Sequence, residues 1–371
     1  MKPHPKLKTI AFRAGLACGS VLLTMLLAEL ACRSLFPTWM PVSADRKFWR
    51  YDATLGWFHE PGKEGRFRHP DFEIHVKISS QGLRDNFYKP DPSPQTARVL
   101  VLGDSIGWGY GVEQNERFTE IIEAGDPGLE IVNACVSGYG TGQELLYLKK
   151  RGVQFQPDIV LLLIHENDFE NILHAVEYWH HKPRYVLKDD ALVLQNVPVP
   201  EPSFKQRVGK FILTRTYLYS RLYRAVWKPM MREMASNERP EGKEPEATST
   251  TDFQIRHAAN DGPDGLGCPL YGHPGKRLMR ALLMEMNRTA RAAGAKLVVV
   301  SCPLGGEHEG FLRKALDANG IPYLSLNAAF EAAAEPYHFP HDRHWNPYGH
   351  RLAAGAIAPW LQQHTRRQTA D

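Results

Sequence analysis

Ser105 has the local surroundings of a nucleophile. It lies in the run Val99-Leu-Val-Leu-Gly-Asp-Ser-Ile-Gly-Trp108, where an apolar strand-like stretch gives way to Gly103, Asp104 and Ser105. That order puts a hydroxyl at the carboxyl end of a β-strand, the edge of an open α/β sheet where ligands bind. A serine hydroxyl attacks a carbonyl only when a base removes its proton. Asp104 is suited to cap the turn that follows, and Asp-Ser pairs also serve as ordinary helix caps.

A base is available near the other end of the chain, in His341-Asp-Arg-His-Trp-Asn-Pro-Tyr-Gly-His350. His344 can take a proton from Ser105 and return it to a leaving group. Asp342 is a candidate carboxylate for orienting that imidazole and stabilising its charged form. His341 and His350 compete for the same role, and closeness in sequence does not choose among them. Trp345 reads as a packing residue, and Asn346 as the cap of a helix that starts after Pro347.

Two further segments supply hydrogen-bond donors for a developing oxyanion. Asn133-Ala-Cys-Val-Ser-Gly-Tyr-Gly140 follows a strand ending near Val132, and Gly138 can present its N–H without a Cβ in the way. His165-Glu-Asn-Asp168 follows the apolar run Ile159 to Ile164. The Asn167 amide can donate without becoming charged, and Asp168 is placed to hold the loop through backbone hydrogen bonds. His165, Glu166 and Asp168 are residue types that bind metals. Residues so crowded usually point in different directions and match no zinc spacing, which argues against a metal, and activation of a serine by a histidine base requires no metal or organic cofactor.

These segments need a scaffold that brings strand ends together. From residue 98 short apolar strands alternate with helices. The strands are Val99–Leu102, Glu130–Val132, Ile159–Ile164, Lys296–Ser301 and Tyr323–Leu326. The helices include Phe118–Glu123, one beginning at Gly142–Lys150, and Glu309–Ala318. That alternation predicts a mostly parallel sheet covered on both faces, with the strand C-termini on one edge. Upstream, Ile74, Val76 and Ile78 alternate with polar residues, as in a half-buried strand, and Pro90, Pro92 and Pro94 form a stiff junction. Residues 170–270 break the rhythm: Phe211–Trp227 is aromatic and basic, and Asn237–Pro263 reads as a mobile loop.

The N-terminus sets the compartment. Ala14 to Cys32 is apolar, lies between Arg13 and Arg33, and is about the length that crosses a thin bilayer. Lys2, Lys6, Lys8 and Arg13 precede it, so the positive-inside bias puts the tail in the cytoplasm and the rest outside. Glu29 lies near one end of the span, where it can be solvated. Leu30-Ala-Cys32 is a poor cleavage site, and Glu29 spoils a lipidation signal at Cys32, so the segment reads as an uncleaved anchor. The chain of 371 residues carries a formal charge of only +4, with scattered basic groups and no aromatic-interleaved stripe, which argues against a nucleic-acid partner. Of the five cysteines, Cys135 reads as a buried small side chain, and Cys268 with Cys302 is one candidate disulfide. The expected organisation is a cytoplasmic tail over 1–13, an anchor over 14–34, a β-rich linker over 35–95, and a main domain over 96–365 with an insertion near 170–270.

Taken together, Gly103-Asp-Ser105, Gly138 in Val-Ser-Gly, Asn167 in Asn-Asp, and His344 near the C-terminus resemble, in order and loop placement, the SGNH or GDSL-type serine hydrolases. The resemblance implies a three-layer α/β fold with Ser105 as nucleophile and His344 as general base. It implies an oxyanion hole from the Ser105 and Gly138 N–H groups and the Asn167 amide, with Asp104 and Asp168 in supporting places. Two positions depart from the family pattern. His165 stands where a glycine is usual two places before the asparagine. His341 stands where the aspartate is usual three places before the histidine, and Asp342 is one place late. The Asp-Arg-His-Trp form is similar to the one in SGNH-like polysaccharide O-acetyltransferases. The expected function is therefore an extracytoplasmic, membrane-anchored serine esterase acting on an acyl ester of an envelope glycan or a lipid-linked substrate. Carbohydrate O-acyltransfer is the enzymatic alternative, and a non-catalytic glycan-binding or envelope-assembly protein the other.

Overall fold

The computed structural model describes residues 5–35, 48–69, 71–93, 95–177, 180–204, 207–208, 211–212, 216–222 and 274–365. The chain forms two compact units, one of residues 1–46 with 202–243, the other of residues 47–201 with 244–371. The candidate pair Cys268–Cys302 lies outside the described residues through Cys268, as do the loop 237–263 and the end of the aromatic segment 211–227; Cys302 itself is buried.

In the first unit a helix runs from Pro5 to Leu35. Its segment Phe12–Leu35, 24 residues long, is long and apolar enough to cross a membrane; at 1.5 Å per residue it reaches about 36 Å. Glu29, the one carboxylate in that segment, is not left to solvent alone. Its two oxygens accept the N–H groups of Tyr217 and Leu218 at 2.9 and 2.8 Å, and Arg33 donates to it at 2.8 Å. The carboxylate thereby satisfies the orphan donors that open the short helix Tyr217–Leu222.

The second unit begins with two antiparallel pairs, β1 (Trp49–Asp52) with β2 (Gly56–His59), and β3 (Glu64–His69) with β4 (Phe72–Lys77). Ile74 and Val76 of β4 are buried while Glu73, His75 and Lys77 are exposed, the alternation the sequence predicts. There follow β5 (Ala97–Leu102), β6 (Leu129–Asn133) and β7 (Ile159–Ile164). Two small antiparallel pairs come next: β8 (Val176–Glu177) with β9 (His180–His181), and β10 (Arg184–Lys188) with β11 (Ala191–Gln195). The order closes with β12 (Lys296–Ser301) and β13 (Tyr323–Ser325).

Strands β13, β12, β7, β5 and β6 form one sheet in that spatial order, all parallel. Its core is double-sided. Leu100, Leu102, Val160, Leu162, Leu297 and Val299 face one cluster of buried side chains, while Val99, Val101, Leu161, Leu163, Val298 and Val300 face the other. Helices Thr141–Lys150, Pro274–Ala292 and Gly306–Asp317 contribute to the first cluster. Helices Phe118–Gly125, Asn327–Glu331 and Pro347–Thr365 contribute to the second. Burial on both faces is why these strands read as continuous apolar runs. The first strand, β5, has its successor β6 on one side and β7 on the other. The order of the sheet therefore reverses between β5 and β7, and a crevice opens beyond their carboxyl ends.

The second cluster also holds two buried imidazoles. His350 accepts the Phe118 N–H at 3.3 Å and stacks on the Phe118 ring. His59 hydrogen-bonds the Gly82 carbonyl at 2.8 Å. Burial, then the nearby Arg117 and Arg84 guanidinium groups, pull His350 down to about 3. Burial first, with Arg84 and Arg117 adding and the Gly82 carbonyl opposing, pulls His59 down to about 4. The unfolded chain binds a proton at each site near pH 6.5, whereas the folded one does so only near those lower values. Their contribution is thus complete above about pH 6.5 and is lost as the pH falls toward 3 to 4, by up to about 1.4 kcal/mol per pH unit per histidine. Buried carboxyls held above their usual range by burial, Asp168 and Glu144 among them, act in the opposite sense, so the histidine contribution is read as a difference: in denaturant titrations between pH 7 and 4.5, His350→Gln should lose less stability with acid than the wild type.

Candidate active site

Ser105 opens a single helical turn, Ser105–Trp108, directly after β5, and Asp104 caps it by accepting the Ile106 N–H at 2.9 Å. The turn is pressed against the loop after β6: a Cβ on Gly107 would sit 2.4 Å from the Cys135 sulfur. Glycine is required there by space, and the contact fixes how far Ser105 projects beyond the sheet. Burial pushes the Cys135 thiol well up, so it stays protonated beside the serine.

Arg84 holds the far end of the turn. Its guanidinium donates to the carbonyls of Trp108, Gly109 and Val112 at 3.0, 2.6 and 2.6 Å and lies over the Trp108 ring.

His344 meets Ser105 across 239 positions of sequence, with its Nε2 2.7 Å from the serine Oγ. Its Nδ1 is hydrogen-bonded to Oδ1 of Asp342, which also accepts the His344 backbone N–H at 2.8 Å. Burial raises Asp342, but the His344 ring and backbone bonds outweigh it, and the carboxyl lies below its usual range. Asp342 is therefore ionised at neutral pH. The His344 ring also stacks on Tyr110, centroids 4.3 Å apart at 27°, and its carbonyl accepts the Phe339 N–H at 3.2 Å. Trp345 is buried against Phe330, and Asn346 caps the last helix by accepting the Gly349 N–H at 3.1 Å.

The other two histidines of this segment are engaged elsewhere. His341 gives both its backbone N–H and its ring Nδ1 to Asp71, at 3.0 and 2.6 Å. His350 is buried against Phe118. Of the three, the structure brings His344 to Ser105.

Asn167 follows β7 on the other side of the crevice. Its amide nitrogen lies 3.4 Å from Asp104 Oδ2, and its Oδ1 is 2.6 Å from His165 Nδ1. An imidazole N–H on the oxygen leaves the amide only one orientation, with its donors turned toward Asp104 and the serine turn. The sequence presents His165 as a departure from pattern and as one of three crowded metal-ligand candidates, and does not show this bond; the unexpected residue two places before the asparagine is its signal. Asp168 accepts the His165 N–H at 2.8 Å and so holds the same loop. Burial, reinforced by the Asp104 charge, pushes Asp168 well above the usual carboxylate range. Glu166 turns away to Gly305 N–H and to His308 Nδ1, the latter at 2.5 Å. The side chains of His165, Glu166 and Asp168 thus go to three different groups, the Asn167 amide, His308 and the His165 backbone, and the described residues contain no cluster of three or more side chains suited to a metal ion. Gly138, in the loop after β6, has φ +82°, a left-handed conformation that favours glycine.

His165→Ala is expected to lower kcat by roughly five- to ten-fold, the worth of one orienting hydrogen bond, with KM little changed. Asn167→Ala should cost about 100-fold. Steady-state kinetics on an activated ester compare the two.

The model of the GDSL-like lipase/acylhydrolase family matches residues 99–357. The chain belongs to that family. No curated protein matches it. Among solved structures this GDSL acylhydrolase is similar to TesA, at 14% identity over 72% of this chain and 98% of that one, with a TM-score of 0.39. It is also similar to a member of the lipolytic G-D-S-L family from Veillonella parvula, at 13% identity over 73% and 100%, TM-score 0.38. A third is the psychrotrophic esterase EstA from Pseudoalteromonas sp., at 12% identity over 71% and 98%, TM-score 0.37. The assignment rests on the family match, and that match supports an ester-hydrolysing chemistry. The matched span contains Ser105, Gly138, Asn167, Asp342 and His344.

Proposed function

We propose that this GDSL acylhydrolase is a membrane-anchored, extracytoplasmic serine esterase that acts on an O-acyl ester of an envelope glycan or a lipid-linked substrate. The observation that carries the chemistry is the Ser105–His344–Asp342 line, with Oγ 2.7 Å from Nε2 and the carboxylate on the far ring nitrogen. His344 takes the Ser105 proton as Oγ bonds to the carbonyl carbon. Asp342 stabilises the imidazolium that results. The Ser105 and Gly138 N–H groups and the Asn167 amide stabilise the oxyanion. His344 then gives its proton to the leaving alcohol as the acyl-enzyme forms. Water repeats the sequence in reverse and releases the acid. These proton transfers use the chain's own side chains and call for no cofactor.

The apolar segment Phe12–Leu35, with the basic residues before it, supports a cytoplasmic tail over 1–13, a single span over 14–34, and a catalytic region over 96–365 outside, on the periplasmic side if the cell has two membranes. An impermeant thiol reagent tests this on intact cells. A cysteine introduced in the 237–263 loop of a variant cleared of accessible native cysteines should label without permeabilisation. Labelling only after permeabilisation would overturn the topology.

The Asp342-Arg-His-Trp345 sequence favours one second reading, transfer of the same acyl group to a sugar hydroxyl. Product analysis with an acyl donor and a set of candidate glycans separates the two. An acylated glycan marks transfer, whereas free acid alone in the presence of a competent acceptor marks hydrolysis.

A further inference from the structure

His69 stands at the end of β3, opposite Phe72 of β4, far in sequence from every segment that carries the proposed chemistry. Its ring lies flat on Phe72, with centroids 4.8 Å apart at 18°, and its edge meets Tyr110, the ring that stacks on His344. The Asp71 N–H points at His69 Nδ1, 3.3 Å away. A ring nitrogen that accepts an N–H carries no hydrogen, so the proton of the neutral ring sits on Nε2. That Nε2 is 3.8 Å from Oδ2 of Asp342. Asp342 gives His344 its other oxygen, Oδ1, for both bonds. The carboxylate is therefore flanked by two imidazoles, one on each oxygen.

We propose that His69 is a positioning residue of the catalytic acid: in the reacting enzyme its Nε2–H donates to Oδ2 of Asp342 and fixes the carboxylate plane against His344. This rests on Ser105, His344 and Asp342 acting as a triad. The present separation exceeds hydrogen-bond length by roughly 0.8 Å, and catalytic hydrogen bonds are commonly long before substrate binds. The groups facing His69 are Asp71 and Asp342, which favour its protonation, and His344 and His341, which oppose it. Burial outweighs them and holds the imidazolium down. A neutral donor suits the task, because a charged His69 would compete with His344 for the same carboxylate.

Full-length protein in detergent, assayed with p-nitrophenyl acetate, tests the proposal through two substitutions. His69→Phe keeps a flat ring on Phe72 and removes the donor. His69→Gln places an amide N–H near the position of Nε2. The Phe variant should lose about ten-fold in kcat with KM within about two-fold, and the Gln variant should recover most of that loss. The low-field proton resonance of the His344–Asp342 hydrogen bond should shift in the Phe variant and return toward the wild-type position in the Gln variant. Should the Phe variant fail to accumulate, His69→Asn, too short to reach Oδ2, replaces it. Wild-type kcat without the donor, or equal losses in the donor-bearing and donor-free variants, would overturn the role of His69. Labelling of Ser105 by a fluorophosphonate in the wild type separates the two levels. A labelled enzyme indifferent to His69 sinks this proposal alone, and an unlabelled one sinks the triad beneath it.

Discussion

Ser105→Ala is expected to lower turnover of an activated ester by roughly 10⁴- to 10⁶-fold. The side-chain oxygen lies 2.7 Å from His344 Nε2 and in the proposed mechanism is the atom that bonds to the acyl carbon, so an alanine leaves nothing for the base to activate. The residual rate would come from the oxyanion donors polarising the ester for attack by water. Alanine is a good helix former and the turn is capped by Asp104 rather than by the serine, so thermal unfolding should move little. Intact-protein mass spectrometry after fluorophosphonate treatment gives the decisive reading: one adduct, mapped to the Ser105 peptide in the wild type and missing in the variant. An adduct on another residue would displace Ser105 from the mechanism.

Asp342→Ala should also be strongly damaging, lowering kcat by about 10³- to 10⁴-fold with a small effect on KM. It removes at once the ring bond, the bond to the His344 backbone and the charge that offsets the imidazolium. The side chain is 18% exposed and is not among the buried apolar residues of either core cluster, so the variant should stay folded. Because Asp342 lies below the usual carboxylate range, its own protonation should not set the acidic limb of the activity profile. Circular dichroism alongside steady-state kinetics tests the assignment. Unchanged turnover here, with abolition in a folded Asp104 or Asp168 variant, would transfer the orienting role.

Strands β5 and β7 were legible in the sequence because burial on both faces leaves no polar residue in β7 and only Arg98, near the start, in β5. The serine turn and the Asn167 loop were legible because each follows such a strand at its carboxyl end. The choice of His344 over His341 was not legible from the local residues. It depends on Asp71, 270 positions away, taking His341 out of contention. The same holds for Tyr110 beneath His344, for His69 beside Asp342, and for Glu29 meeting Tyr217 and Leu218. Each is a contact made by a side chain with a distant segment that its own local sequence does not announce. Composition and period report what an element buries, and say nothing of which polar tip will face which across the finished fold. The His165 bond is the intermediate case, since a residue out of pattern marked the place but not the partner.

Asp342 and His344 are two positions apart, and the same carboxylate oxygen binds both the backbone and the ring of the histidine. The proton-handling half of the triad is in effect a closed three-residue turn. Bringing it together costs almost no chain entropy, whereas bringing it to Ser105 requires closing a loop of more than two hundred residues through the whole sheet. On gentle heating or in low denaturant the two halves should therefore part as units. The resulting inactive state would still contain a correctly paired acid and base, and would regain activity on cooling by docking a ready-made part rather than by building a new one.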